Sequence, residues 1–181
     1  MSRFEGSGER PTCPEGYYNA TIVDFVDITE RVSQYADWAF EVKLNAEDVS
    51  FELKSSYFIK FARLGNGELD VDNNGWSKQF NNLLDTINFT GGFDRFGVFR
   101  DATGEEIERE DILTKLCQHI IDNFKEGEYP FIIYVEKDDK GYMRPMKRIY
   151  MPKDRAELIS FVDYKKKNAK KPPVGQQRNR I

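Results

Sequence analysis

The chain has 181 residues, which is long enough to bury one hydrophobic core and too short for two ordinary domains without a visible linker. Hydrophobic residues make up 39% of it and include fourteen Phe and nine Tyr, which argues against a disordered chain. Its two cysteines imply neither a disulfide framework nor a paired-cysteine metal site.

The net charge of −4 hides an uneven distribution of charge along the chain. Residues 164–181 carry seven basic side chains and no acidic ones, which leaves 20 basic against 31 acidic side chains in residues 1–163. We therefore predict a flexible lead over 1–13, one domain over 14–163 and a basic disordered tail over 164–181. Because the body is acidic, any nucleic acid has to bind in a local groove where lysine and arginine are concentrated.

Secretion and membrane insertion are not indicated. Residues 1–11 are polar, whereas a secretion signal is first charged and then apolar. No apolar run reaches the roughly 18 residues that a bilayer-spanning helix needs. We therefore expect a cytoplasmic protein without a membrane partner.

The first half of the predicted domain has the residue alternation of strands. The β-branched and aromatic stretch 17–32 predicts a first strand, and its alternation slips between Ile22 and Val23, which predicts a bulge. Residues 38–44 alternate cleanly between apolar and polar side chains, and residues 49–61 do the same after a short connection. These two segments therefore predict a hairpin.

The second half of the domain mixes helices and strands. Apolar residues at helical spacing predict two helices, separated by an irregular aromatic stretch at 93–104, and two strands and a last short helix follow. The predicted segments are helices at 76–87 and 112–124, strands at 131–137 and 143–151, and a helix at 152–164.

Five strands with helices between the third and the fourth follow the chain order of an oligonucleotide-binding (OB) barrel. We therefore predict a mainly β protein with helices, of the α+β class. Its core would be a five-stranded OB-type barrel with a helical insertion between strands 3 and 4 and a short C-terminal helix. A different small barrel or an α+β sandwich fits the same order of elements.

The opening of the domain resembles a known family. Residues 14–22 read Pro-Glu-Gly-Tyr-Tyr-Asn-Ala-Thr-Ile and precede the hairpin that begins at Trp38. This pattern is similar to that of short phage proteins that bind single-stranded DNA with an OB fold, and the likeness covers residues 14–90. It implies a protein in the host cytoplasm that coats single strands during DNA replication or recombination, beside other replication or recombination proteins, without cofactor or catalysis. The basic C-terminus departs from the acidic tail with which many such proteins recruit partners.

A single-strand binder needs cations that follow the DNA backbone and aromatic rings on which bases stack. On the third predicted strand, Phe58 stands between Lys54 and Lys60 on the face opposite the core residues. Phe58 is therefore the first stacking candidate. The alternative is a ring that the helical insertion or the C-terminal helix covers.

The last predicted strand supplies a second set of candidates. Arg148 and Tyr150 share one face of this strand with Arg144, and Tyr134 on the preceding strand can join them; the alternative is that each arginine pairs with a nearby acid such as Glu136. The complete set of predicted nucleic-acid contacts is Lys43, Lys54, Phe58, Lys60, Tyr134, Arg144, Arg148, Tyr150, Lys165, Lys166 and Lys167.

One further candidate segment and two other functions remain beside these predicted contacts. The Gly-flanked loop at 93–100, with its rings and arginines, either clamps a strand or forms a small core of its own. An enzyme is not expected, because His119 and Cys117 are two positions apart on a helix and the acidic cluster at 105–111 lacks a phosphate-binding loop. The alternative function is an acidic protein-interaction module, such as a phage inhibitor or adaptor that mimics nucleic acid.

Overall fold

A computed structural model describes residues 12–70 and 75–169, without the side chains of 75–77 and 169. Most of its strands belong to one five-stranded sheet, and the helices pack around this sheet. In chain order the elements are β1 (Gly16–Asp27), α1 (Thr29–Val32), β2 (Trp38–Ala46), β3 (Leu53–Ile59), α2 (Gly75–Thr86), β4 (Gly91–Phe93), β5 (Phe99–Asp101), α3 (Arg109–Asn123), β6 (Phe131–Lys137), β7 (Met143–Pro145) and α4 (Arg155–Ala169).

The five-stranded sheet curls into a nearly closed barrel. Its strands follow the order β3-β2-β1-β6-β7, and neighbouring strands are antiparallel. The edge strands β3 and β7 lie beside each other, and the Tyr57 hydroxyl of β3 donates to the carbonyl of Lys147, just beyond β7, at 2.5 Å. A five-stranded antiparallel barrel with helices confirms the predicted α+β class and is consistent with an OB-type barrel.

The long strand β1 bends and pairs with two neighbouring strands. Its first residues, Gly16 to Ala20, pair with β6, and the residues from Ala20 onward pair with β2. The pairing with β2 shifts register between Ile22 and Asp24. This irregularity confirms the bulge predicted from the alternation, and a bulge of this kind turns a strand around a small barrel.

The core of the barrel is aromatic. Phe40 and Tyr57 stack with ring centres 5.2 Å apart, and the Phe80 ring of α2 meets the Trp38 ring edge-on at 5.3 Å. These four side chains are fully buried. Because α2 packs against β3 and α3 against β1, the helical insertion completes the core that the strands begin.

The stretch predicted to be irregular at 93–104 contains the short hairpin of β4 and β5. The Phe93 and Phe99 rings lie 5.2 Å apart and pack into the main core. At the start of this hairpin, a Cβ on Gly91 would lie 2.6 Å from the carbonyl oxygen of Arg100, so the backbones approach too closely for a side chain.

Three strands are shorter than predicted, and the third of the chain covers Leu53–Ile59 instead of 49–61. The first ends at Asp27, whose carboxylate accepts the backbone N–H of Thr29 and so starts α1. The last ends at Pro145, and the backbone N–H of Met146 still donates to the Tyr134 carbonyl of β6 at 2.8 Å. Pairing with β6 is then interrupted and resumes at Tyr150.

The C-terminal helix is longer than predicted, since α4 continues to Ala169 beyond the expected end at Tyr164. Lysines in its last turn favour this extension, because cations interact well with a helix C-terminus. The rest of the predicted tail, 170–181, and most of the predicted lead, 1–11, lie outside the described residues. No helix in the described ranges combines the length and apolar character that a membrane span requires.

Candidate nucleic-acid interface

Helix α4 covers the outer face of β6. Leu158 and Val162, one helical turn apart, pack on Tyr134 and Tyr150 in an apolar cluster that is separate from the barrel core. Tyr134 and Tyr150 are each only 3% exposed. Both rings lie outside the barrel core, but they do not offer open faces for stacking, because α4 lies over them.

The lysines at the end of α4 face carboxylates. The Lys165 ammonium lies 3.1 Å from Glu136, and the Lys166 ammonium lies 3.9 Å from Glu15 and 5.3 Å from the ring centre of Tyr134. The prediction of a disordered tail without nearby acids is therefore wrong for these two residues. Lys167, the third lysine of the predicted set, is exposed.

Arg144 stabilises the turn between β6 and β7. Its Nε donates to Asp138 at 2.7 Å, and the same carboxylate accepts the backbone N–H groups of Lys140 and Tyr142. Partial burial opposes ionisation of Asp138, but these hydrogen bonds and the guanidinium outweigh it and lower the pKa of the carboxyl. Arg144 therefore forms the ion pair that was the alternative to a nucleic-acid contact, and its partner is Asp138 and not the expected Glu136.

A groove of about 630 Å³ opens where β3 meets β7, between α2 and α4. We call it the seam groove. It brings together three of the predicted contact residues, Arg148, Tyr150 and Lys165, with residues from α2 and α4. Its walls include Gln79, Lys147, Arg148, Tyr150, Phe161 and Lys165.

Arg148 is held firmly in the seam groove. Its Nη1 donates to Glu157 at 2.9 Å, and its guanidinium carbon lies 4.5 Å from the ring centre of Tyr150. The adjacent carbonyls are also fixed, that of Lys147 by the Tyr57 hydroxyl and that of Ile149 by the Thr86 hydroxyl at 2.8 Å. The backbone on both sides of Arg148 is thus anchored to the barrel and to α2.

Lys147 connects the seam groove with the outer face of β3. Its side chain lines the groove, and its ammonium lies 5.0 Å from the ring centre of Phe58. Burial lowers the pKa of the Lys147 ammonium. Phe58 is half-buried against the small cluster around α1, with the Tyr35 ring 6.2 Å away. Among the described residues, α1 and the loop after it lie against Phe58.

The remaining predicted lysines lie apart from the seam groove. Lys43 and Lys54 are directly opposite each other on β2 and β3, and Lys43 forms an ion pair with Glu52 at 3.8 Å. Lys60 is exposed immediately after β3. None of the three lines the groove.

The aromatics of the loop at 93–100 mostly join the main core and form neither a small core of their own nor an open row of rings. Phe93 and Phe99 point into the barrel core, and Arg100 pairs with Asp94 at 3.0 Å. Only Phe96 is exposed, with the Arg95 guanidinium 5.0 Å from its ring centre.

Sequence reasoning missed Tyr35, Lys147, Phe161 and Gln79. Strand alternation puts Lys147 on the face opposite Arg148 and Tyr150, but the strand ends at Pro145 and Lys147 and Arg148 line the same groove. Phe161 lies exposed on α4 three residues after the buried Leu158, so helical spacing would have placed it on the buried face and gave no signal for an exposed ring.

In the described part of the chain, no three His, Cys, Asp or Glu side chains come together in a way that could hold a metal ion. Comparisons of the chain with known protein families, with curated proteins and with solved structures found no match. The function therefore has to be inferred from the fold and from the geometry of the seam groove.

Proposed function

We propose that the protein binds single-stranded DNA along a path from Tyr35 and Phe58, across Lys147, into the seam groove. The observation that carries the proposal is the position of Lys147. Its ammonium lies over Phe58 while its side chain lines the same groove as Arg148. Rings and cations thus follow one another along a single surface.

The chemistry of this path fits a flexible polyanion with aromatic bases. Tyr35 and Phe161, at its two ends, are 53% and 42% exposed, so each offers a ring face to solvent. Stacking of a base on such a ring contributes about 1–3 kcal/mol, and cations between the rings neutralise backbone phosphates. Because the rest of the body is acidic, a strand is repelled elsewhere and confined to this path. A protein of this kind would coat single strands in DNA replication or recombination.

The test is an anisotropy titration of a labelled oligothymidine at several salt concentrations. For single strands, the logarithm of the binding constant falls against the logarithm of salt with a slope of about −0.7 per neutralised phosphate. Lys147→Gln should make the slope shallower by about 0.7 and weaken binding about fivefold at 0.1 M salt.

Lys125→Gln is the matched control, because this exposed lysine lines a different groove, beside β1 and the end of α3. It removes the same charge and should leave the slope nearly unchanged. Absence of binding at low salt would refute the proposal and favour the acidic protein-interaction module. Equal effects of the two substitutions would refute the proposed path.

A further inference from the structure

Two buried polar atoms in the seam groove have no hydrogen-bond partner. They are the Oε1 acceptor of Gln79 and the Nε donor of Arg148. Within the described residues, four buried side-chain nitrogen or oxygen atoms lack a partner, and these two line one groove. A buried group left without its hydrogen bond destabilises the fold, so such groups normally have a partner.

Mobility does not explain the unpartnered Arg148 Nε. The Glu157 carboxylate, the Tyr150 ring and the anchored backbone on both sides hold this side chain in place. Gln79 lies on α2, three residues before Asn82, so both side chains reach the groove from the same helix face. Arg148 Nε and Gln79 Oε1 are thus an unpartnered donor and an unpartnered acceptor on two residues that line the same groove.

The size and lining of the groove indicate a flat ligand. Its volume of about 630 Å³ lies in the range of small-molecule sites, roughly 300–1,000 Å³. Tyr150 and Met146 form apolar wall, and the exposed Phe161 ring adds an aromatic surface. Among the described residues, the groove is lined by three cations and two carboxylates, a balance of one positive charge: Lys147, Arg148, Lys165, Glu136 and Glu157.

We propose that the seam groove takes one unstacked base of the bound strand, edge first. The base donates a hydrogen bond to Gln79 Oε1 and accepts one from Arg148 Nε, while Phe161 contacts its ring. Each of the four DNA bases carries a donor next to an acceptor on its pairing edge. The subsite therefore binds a base without distinguishing among the four. The surplus positive charge suits the phosphate of that nucleotide. This inference rests on the proposed binding of single strands and specifies how one nucleotide is held.

The test compares an oligothymidine with the same strand methylated at N3 of every thymine. Methylation removes the donor of the pairing edge and keeps the ring and the phosphates. Wild-type protein should bind the methylated strand on the order of tenfold more weakly. Gln79→Leu should lower affinity for the unmodified strand by a similar factor and bind the two strands alike.

Asn81→Leu is the control, because Asn81 is exposed on the same helix and does not line the groove. It should keep the preference of the wild type for the unmodified strand. If Gln79→Leu does not fold, Phe161→Ala replaces it and should weaken binding of both strands, since its ring contact does not use N3.

The outcomes separate this inference from the proposed function. Equal binding of both strands by wild-type protein overturns the base subsite and leaves single-strand binding intact. A preference that persists in Gln79→Leu also overturns it. Binding of neither strand overturns the proposed function itself.

Discussion

Two outward faces of the barrel carry aromatic rings, and they have different environments. On β6, Tyr134 is buried beneath α4 together with Tyr150, which pairs with the same strand. On β3, Phe58 is half-buried, and the neighbouring Tyr35 ring is exposed. Both faces follow from the same alternation of residues along a strand. This difference shows that residue alternation along a strand predicts which rings point away from the core. Whether such a ring is exposed to solvent depends on the element that packs against that face.

The covering helices explain this difference. Helix α4 has 15 residues and places Leu158 and Val162 against the rings of its face. Helix α1 has four residues and buries only Val32 fully, so it cannot shield a whole strand face. We therefore expect the β6 face to stabilise the fold and the β3 face to bind ligand.

The largest effect is expected from Leu158→Ala. Leu158 is fully buried between α4 and β6, and its truncation should lower the free energy of unfolding by about 2–5 kcal/mol. Urea unfolding measures this change. Ile159→Ala is the control on the same helix, because Ile159 is exposed and its truncation should change stability much less. Equal losses in the two variants would show that α4 is not docked through Leu158.

Truncation of a ring on each face should separate stability from binding. Phe58→Ala should weaken binding of single-stranded DNA by about 1–3 kcal/mol with a smaller loss of stability. Tyr134→Ala should do the opposite, because its ring is buried under α4. Thermal melting and anisotropy on both variants measure the two effects. A large drop in melting temperature for Phe58→Ala, with unchanged affinity per folded molecule, would make the β3 face structural too.

Tyr57→Phe tests the closure of the barrel between the two faces. The hydroxyl is buried and donates to the Lys147 carbonyl, so its removal leaves a carbonyl unsatisfied. We expect a loss of about 1–2 kcal/mol in the free energy of unfolding. Tyr164→Phe removes a hydroxyl from an exposed side chain of α4 and should have little effect. An unchanged free energy of unfolding in Tyr57→Phe would mean that closure of the barrel does not depend on this hydrogen bond.

The smallest effect concerns pH. Since burial lowers the pKa of Lys147, this ammonium loses its proton at lower pH than an ordinary lysine. Affinity for DNA should therefore fall as pH rises through that pKa, by up to about fivefold at 0.1 M salt. Lys147→Arg, which stays charged, should bind with little dependence on pH over the same range. An equally steep fall in Lys147→Arg would assign the effect to another group.

Much of the barrel could be predicted because its strands alternate. Strand β6 occupies the predicted residues 131–137, and the slip near Ile22 marks the observed bulge. The seam groove could not be predicted, since it depends on how α2 and α4 meet the gap between β3 and β7. Lys147 was misplaced because regular pairing with β6 is interrupted after Met146, and periodicity does not report where a ladder is interrupted.

The hydrogen bonds from Tyr57 and Thr86 to the carbonyls around Arg148 are made by uncharged groups. Burial raises the pKa of Tyr57, against a smaller lowering by Arg148, so the phenol keeps its proton at any pH suited to binding experiments. Added salt does not screen these bonds as it screens ion pairs. The backbone around Arg148 should therefore keep one shape across salt and pH titrations. Such titrations then measure only the electrostatic attraction between the protein and its ligand. Binding also loses little entropy, because this segment is already ordered.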